Sequence, residues 1–231
     1  VRTPSGDDAA TVVFDLDGTL VAGDSFGLFL RQLLTRSPVR LAAALLTAPL
    51  WVPAMAVPGP RVVAERFLVW LALVGVGEQA FGAAVRDFAA RHAGPAAGRA
   101  AAAGLHRLRE HADRGDRVVV ATGCAAPLAE EVCAVLALDG VEVVGTSLVR
   151  GRWGFPERAV PARGEGKVRA LEEVGVRFPV AHAYSDSPTD LPLLRRAVVA
   201  HVVDPSPRDL VRLRRELGDD VDVLRWAGRA S

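Results

Sequence analysis

Cysteine, aromatic residues and net charge are all in short supply in this chain. The two cysteines, Cys124 and Cys133, lie nine positions apart, which matches neither a metal knuckle nor a disulfide framework and points to a reduced, cytosolic setting. A formal net charge of +1 removes the electrostatic case for nucleic acid as the main partner. Aromatics are only 6% of the residues while hydrophobic residues make up 50%, so the core must be built from Ala and Val, as Ala-rich helices around a Val-rich sheet. The first ten residues are polar and hold no apolar stretch, so no signal peptide is expected. No internal repeat stands out. At 231 residues the chain suits one well-buried domain with a smaller insertion.

What is present is organised around Thr11-Val-Val-Phe-Asp-Leu-Asp-Gly-Thr-Leu20. Thr11 to Phe14 are β-branched or aromatic and read as a short buried strand. Residues two apart share a strand face, so Asp15 and Asp17 should project together from its C-terminal end, where open α/β sheets place their ligands. Two neighbouring carboxylates repel, and such a pair calls for a cation, a shared proton or water. The bland alternative is a solvated acidic turn.

Next comes a helical pattern through Phe26, Phe29, Leu30 and Leu33, with Asp24 and Ser25 as N-cap candidates. Residues 41–60 carry no charge, but Pro49, Pro53 and Pro58 interrupt them, so one straight transmembrane helix is a poor fit. Two short apolar helices forming a hairpin fit better. That hairpin either buries itself in a cap or dips into a membrane interface; a run that is apolar all round suits both. Two further helices are expected between Arg61 and Arg91, broken at Gly75-Val-Gly77, with Phe67, Trp70, Phe81 and Phe88 as core; Trp51 also reads as a packing residue. Pro95 to Arg114 reads as Ala-rich and helical up to the stop at Gly115.

Four more strands are expected, at residues 117–121, 141–145, 179–184 and 198–203, alternating with helices at 127–138 and 164–174, a helix from about Leu191, and a charged helical tail from Pro207. The alternation implies a three-layer α/β core around a parallel sheet. The core would comprise residues 1–21 and 96–231, with residues 22–95 as an inserted helical cap.

The strand ends then present Asp15 and Asp17; Thr122 with Gly123; Lys167 at a helix start; and Asp186 with Asp190. Each alone has an ordinary explanation as a turn, a solvent-facing lysine or a capped helix start, but their order and shared edge favour one site. The set suits phosphoryl transfer. A carboxylate meeting a phosphate dianion at ~4 Å and an effective dielectric of ~20 faces roughly 8 kcal/mol of repulsion. Mg²⁺ held by Asp15 and Asp186, with Lys167 beside it, would supply the missing charge. Thr122 and the backbone N–H of Gly123 can donate to phosphate oxygens, and Asp17 can serve as acid and base.

In this order Asp15-Leu-Asp-Gly-Thr, Thr122, Lys167 and Ser185-Asp-Ser-Pro-Thr-Asp190 resemble the four motifs of the haloacid dehalogenase-like superfamily, over nearly the whole chain. The helical insertion after the first motif is similar to the phosphoserine phosphatase-like subfamily. Within it, Phe14-Asp-Leu-Asp-Gly-Thr-Leu20, Asp24-Ser-Phe-Gly-Leu-Phe-Leu-Arg31 with its Pro-broken run, and Tyr184-Ser-Asp-Ser with Asp190 and Pro192 to Leu194 resemble the bacterial phosphatidylglycerophosphatase C family. The resemblance implies a Rossmann-like core, Asp15 as nucleophile forming an aspartyl-phosphate, and Asp17 protonating the leaving oxygen and then activating water. It implies Thr122 and Lys167 on the phosphoryl group, Mg²⁺ on Asp15, the carbonyl of Asp17 and Asp186, and Asp190 in support. Asp17 argues against dehalogenase chemistry, which lacks an acid at that position. Asp24 stands where phosphoserine phosphatases carry a Glu that contacts the substrate amine, and Trp153-Gly-Phe155 replaces a short acidic loop.

The expected activity is therefore a Mg²⁺-dependent phosphomonoesterase. Its substrate would be a lipid phosphate such as phosphatidylglycerophosphate, reached by peripheral contact of residues 41–60 with the inner membrane face, or a soluble metabolite phosphate. A phosphotransferase using the same intermediate, and a silent membrane-associated scaffold, are the competing readings. Gly18 and Gly23 are hinge candidates at the entry to the insertion.

Overall fold

The computed structural model describes residues 9–150, 156–157, 162–219 and 221–226. The Trp153-Gly-Phe155 stretch lies outside them. Among the described residues, six parallel strands form one sheet in the order β3-β2-β1-β6-β7-β8. They are β1 Thr11–Phe14, β2 Arg117–Ala125, β3 Glu142–Thr146, β6 Val180–Ser185, β7 Ala197–Val203 and β8 Asp222–Leu224. Two-residue strands β4 Val149–Arg150 and β5 Pro156–Glu157 pair antiparallel beside it.

The alternation of small β-branched residues sets the two faces. Val12, Phe14, Val118, Val120 and Tyr184 pack on one side with Leu105 and Leu108 of α5 (Ala102–Asp113) and Leu128 and Val132 of α6 (Ala126–Val135). Val13, Val119, Ala121 and Ala183 pack on the other with Val168 and Leu171 of α7 (Glu165–Glu173), Leu193 and Leu194 of α8 (Leu191–Leu194) and Leu213 of α9 (Pro207–Leu217). Both faces are covered, as a parallel sheet requires. The α/β expectation and the parallel sheet hold.

Four helices stand between β1 and α5: α1 Ser25–Thr35, α2 Pro38–Ala54, α3 Pro58–Leu73 and α4 Glu78–Ala93. The chain enters and leaves this insertion at one place, where Ala22 N–H donates to the Arg99 carbonyl at 2.8 Å and Val21 bridges Ala100. Phe29 of α1 meets Phe81 and Phe88 of α4 edge to face, which roots the insertion in the same core as the sheet.

Several expectations need correction. Residues 41–54 belong to one helix rather than two short ones, since α2 runs through Pro49 and Pro53, and its hairpin partner is α3. Pro is tolerated there because the two carbonyls it strips of N–H donors, those of Leu45 and Pro49, belong to exposed residues and are open to water. Strand β2 continues past Ala121 through Thr122 and Gly123 to Ala125, with a register shift against β3 between Ala121 and Ala125. Residues 95–114 hold a short 3₁₀ turn at Pro95–Ala97 and then α5, not one helix. The tail is not wholly helical, because β8 adds an edge strand after α9. No single helix among the described residues is long and apolar enough to cross a membrane.

Candidate active site

Strand order makes β1 the point where the chain reverses direction across the sheet, with β2 on one side and β6 on the other. Open α/β sheets bind ligands at such a crevice, beyond the C-terminal strand ends. Phe14 of β1 is level with Val120 of β2 and Tyr184 of β6. Asp15, Ser185 and the pair Ala121-Thr122 therefore follow the last shared rung on three adjacent strands.

Asp15 and Lys167 meet there. Lys167, in the first turn of α7, is 1% exposed and spans two carboxylates, with Nζ 2.8 Å from Asp15 Oδ1 and 2.6 Å from Asp190 Oδ2. Asp190 also accepts from Ser185 Oγ at 2.8 Å, so it is fixed from both sides. Burial raises Asp15 above the ordinary carboxylate range; Lys167 opposes that shift while Asp190 and Asp186 add to it. Burial works against the Lys167 ammonium, but Asp15 and Asp190 outweigh it and hold its pKa above the usual lysine value. The Lys167 ammonium is thus shared between Asp15 and Asp190, and Asp186 adds a further carboxylate close enough to raise Asp15.

Asp17 takes a different direction. The loop after β1 is tight: the Leu16 carbonyl accepts from the N–H groups of Thr19, Leu20 and Val21. That turn aims the Asp17 carboxylate at the start of α1, where Oδ1 accepts from Ser25 N–H at 3.1 Å and from Ser25 Oγ. Burial pushes Asp17 up to about 6 against those two hydrogen bonds, with Asp24 and Asp186 adding to the rise. Asp15 and Asp17 leave the same strand end with different hydrogen-bond partners, Lys167 for one and Ser25 for the other, while Asp186 is close enough to raise both.

Gly18 is required where it stands. Its φ is +82°, and a Cβ there would lie 2.0 Å from Asp186 Oδ2, so Asp186 closes directly over its backbone. Thr122 is buried and its Oγ1 accepts from Cys124 N–H at 3.1 Å, which leaves its own O–H to donate. A Cβ at Gly123 would meet Arg163 Nε at 2.6 Å, so this glycine lets the guanidinium cross the loop. Arg163 also approaches Glu65 of α3 at 3.9 Å. Sequence reasoning passed over Arg163, although its position four residues before Lys167 was the available signal. Asp24 is the N-cap of α1, accepting from Gly27 N–H at 2.9 Å, so its carboxylate has a structural task. Both thiols are free and buried; burial raises Cys124 well above its usual value and Cys133 to about 12, which keeps them protonated.

Among the described residues no cluster of three or more acidic, histidine or cysteine side chains converges as a ready-made metal cage. Mg²⁺ is ordinarily held by one or two carboxylates plus carbonyls and waters. Asp15 and Asp186, close enough for the charge of one to raise the other, are carboxylates of the kind that ion takes, so the residues fit it.

The family model for haloacid dehalogenase-like hydrolases matches residues 12–195. The chain belongs to that family. No curated protein matches the sequence. Among solved structures, a protein of unknown function from Bordetella pertussis Tohama I superposes with a TM-score of 0.72 at 21% identity, over 94% of this chain and 98% of its own. A substrate-bound phosphoserine phosphatase superposes at 0.56 and 16% identity, over 94% and 93%. Cytosolic 5′-nucleotidase IIIB bound to cytidine does so at 0.60 and 14%, over 93% and 79%. At these identities the likeness speaks for the fold.

Proposed function

We propose that this hydrolase is a Mg²⁺-dependent phosphomonoesterase that works through an aspartyl-phosphate. The observation carrying this reading is the buried Asp15–Lys167–Asp190 triad at the strand-end crevice, flanked by Thr122, Gly123 and Asp186. Asp15 is the nucleophile: one carboxylate oxygen forms the bond to phosphorus as the ester P–O bond breaks. Asp17 gives its proton to the departing alkoxide. In the second half Asp17 takes a proton from water, whose oxygen attacks phosphorus; the Asp15–phosphorus bond breaks and inorganic phosphate leaves. Lys167, the Thr122 hydroxyl and the Gly123 N–H stabilise the phosphoryl oxygens as charge shifts onto them. Mg²⁺, held by Asp15, Asp186 and the Asp17 carbonyl, would supply the cationic charge that lets a carboxylate approach a phosphate dianion. Asp190 holds Lys167 in place, and Arg163 adds a cation at the mouth.

The division of the chain follows the chemistry. Residues 1–21 and 96–231 form the catalytic core and residues 22–95 the cap, whose ends meet at the Ala22–Arg99 backbone bond. The substrate we favour is a lipid phosphate such as phosphatidylglycerophosphate. Support comes from α2, where Leu45 is 65% exposed, Leu46 82% and Leu50 78%, joined on the surface by Val52 and Val57. Large apolar side chains exposed at neighbouring positions of one helix suit an interaction surface, and the resemblance of the first and last motifs to phosphatidylglycerophosphatase C agrees with it. The protein would then sit at the inner face of a membrane, in the cytoplasm.

The test is phosphate release, with and without Mg²⁺, from phosphatidylglycerophosphate, phosphatidic acid, phosphoserine and sugar phosphates. Preference for the lipids is expected. Preference for a soluble phosphate would overturn the lipid assignment while keeping the chemistry, and transfer of phosphate to an alcohol would make the enzyme a phosphotransferase. No release with Mg²⁺ bound would overturn the whole reading.

A further inference from the structure

Two residues that the mechanism above does not use form a buried connection to Asp17. Ser25, the first residue of α1, is fully buried, and His92, in the last turn of α4, is 5% exposed. Ser25 Oγ hydrogen-bonds Asp17 Oδ1 on one side and lies 3.0 Å from His92 Nε2 on the other. A hydroxyl has one hydrogen to give. With that hydrogen donated to the Asp17 carboxylate, Ser25 Oγ accepts from His92, which fixes the imidazole as the Nε2–H tautomer. Burial, helped by Arg99, lowers the His92 pKa and keeps the ring neutral. The ring stacks on Phe88 one turn earlier in α4, at 4.8 Å and 19°, so its orientation is set by packing rather than by the hydrogen bond alone.

The consequence concerns which oxygen of Asp17 does the work. Oδ1 already takes two donors from Ser25, its N–H and its hydroxyl. With Oδ1 engaged by Ser25, Oδ2 is the oxygen left to the reacting group. We propose that Ser25 and His92 are positioning residues that hold Asp17 through Oδ1 and thereby set the direction of its carboxyl toward the leaving oxygen. The inference rests on Asp17 being the general acid of the phosphatase reading. It also ties the acid to the last helix of the insertion, since His92 reaches Asp17 only while α4 stays seated against α1.

General acid catalysis matters most when the leaving alkoxide is a strong base. Ser25→Ala is therefore expected to lower kcat for an alkyl phosphate by roughly 10- to 100-fold, and for p-nitrophenyl phosphate by no more than about 3-fold, with KM little changed. His92→Leu should show the same split more weakly. Ser25→Thr, which keeps the hydroxyl, and His92→Gln, which keeps an N–H donor, should restore most of the alkyl phosphate activity. Equal losses on both substrates, or no loss on either, would overturn the proposal. A readout without turnover accompanies this: ¹⁵N-histidine NMR of the intact protein should show His92 neutral with hydrogen on Nε2, and Ser25→Ala should shift that signal. A His92 hydrogen on Nδ1 would overturn the relay even in an active enzyme. A wild-type protein with the expected His92 signal but no phosphate release would instead overturn the phosphatase reading.

Discussion

The Lys167 ammonium stands 2.8 Å from the Asp15 carboxylate, with both side chains withdrawn from solvent. Because Asp190 holds the same ammonium at 2.6 Å, Lys167 is a fixed positive charge beside Asp15 rather than a mobile one. Removing one member of a buried ion network leaves its partners uncompensated, which costs about 3–5 kcal/mol. Lys167→Met should lower stability by about that amount in a denaturation curve and abolish phosphate release. A Lys167→Met protein as stable as wild type would show that Asp15 and Asp190 are already neutralised by other means.

Asp15→Asn should have the opposite effect on stability. Burial raises the folded-state pKa of Asp15 above its unfolded value of 3.8, so its contribution is favourable below that value and is lost as pH rises through the folded pKa. Pushed up to about 8 in the fold, the Asp15 carboxyl at neutral pH must hold a proton that the unfolded chain would release, and that is a burden on the metal-free fold. We expect metal-free Asp15→Asn to melt higher than metal-free wild type at pH 7.5, with no turnover. Mg²⁺ should raise the wild-type melting temperature, by about 2.7 kcal/mol of stabilisation at 100 times its Kd, and raise the variant far less. Turnover by Asp15→Asn would remove it as nucleophile.

Gly123→Ala tests the crossing of Arg163. The new methyl would sit 2.6 Å from Arg163 Nε, and a flexible guanidinium can move away from it. The fold should survive, with KM for a phosphomonoester raised several-fold; Arg163→Ala should reproduce the rise. An unchanged KM in both would place Arg163 outside the substrate's reach.

The apolar surface of α2 makes its own prediction. Leu45, Leu46 and Leu50 are largely exposed, so changing all three to Gln should alter stability by no more than about 0.5 kcal/mol per site. Sedimentation with anionic vesicles should nevertheless fall sharply. A large stability loss with no vesicle binding by the wild type would assign these leucines to a protein–protein contact instead.

A second polar cluster governs the response to acid. His182 Nδ1 lies 2.9 Å from His201 Nε2, and His201 Nδ1 lies 2.6 Å from Asp222. Burial lowers the pKa of both imidazoles; for His182 the ring of His201 adds to this, while Asp222 partly opposes it for His201. Histidines with a depressed folded pKa contribute stability above the unfolded value of about 6.5, and that stability drains away as pH falls toward the folded values. The urea midpoint should therefore fall less between pH 7.5 and 5.5 in His182→Asn than in wild type. Because the raised Asp15 and Asp17 act in the opposite sense, the comparison between the two proteins is the measurement that matters.

Much of this was legible in the chain itself. Asp15, Thr122, Lys167, Asp186 and Asp190 could be placed at one sheet edge because each follows or precedes a strong strand or helix pattern, and parallel strands align their ends. The parts that could not be read depend on contacts distant in sequence. Ser25 and His92 are 67 positions apart, and nothing local distinguishes His92 from a surface histidine. The hold of Ser25 on Asp17 depends on the tight turn after β1, which the strand pattern alone does not announce. Helix α2 continues through two prolines because its packing with α3 outweighs local breaking, and β8 is too short and too charged at Asp222 to announce itself.

The neck at Ala22 and Arg99 has an evolutionary corollary. Everything between those residues enters and returns through a narrow neck of backbone pairing, Ala22 to Arg99 and Ala101 to Leu20, while the strand register on either side is set by β1, β2 and β6 without it. The helical segment behaves like an interchangeable attachment: its length and surface can drift, and a new clientele be recruited, while the chemistry beneath is inherited intact. His92 sets the limit on that freedom, because a transplanted segment that does not seat an imidazole against Ser25 would arrive with its acid untethered.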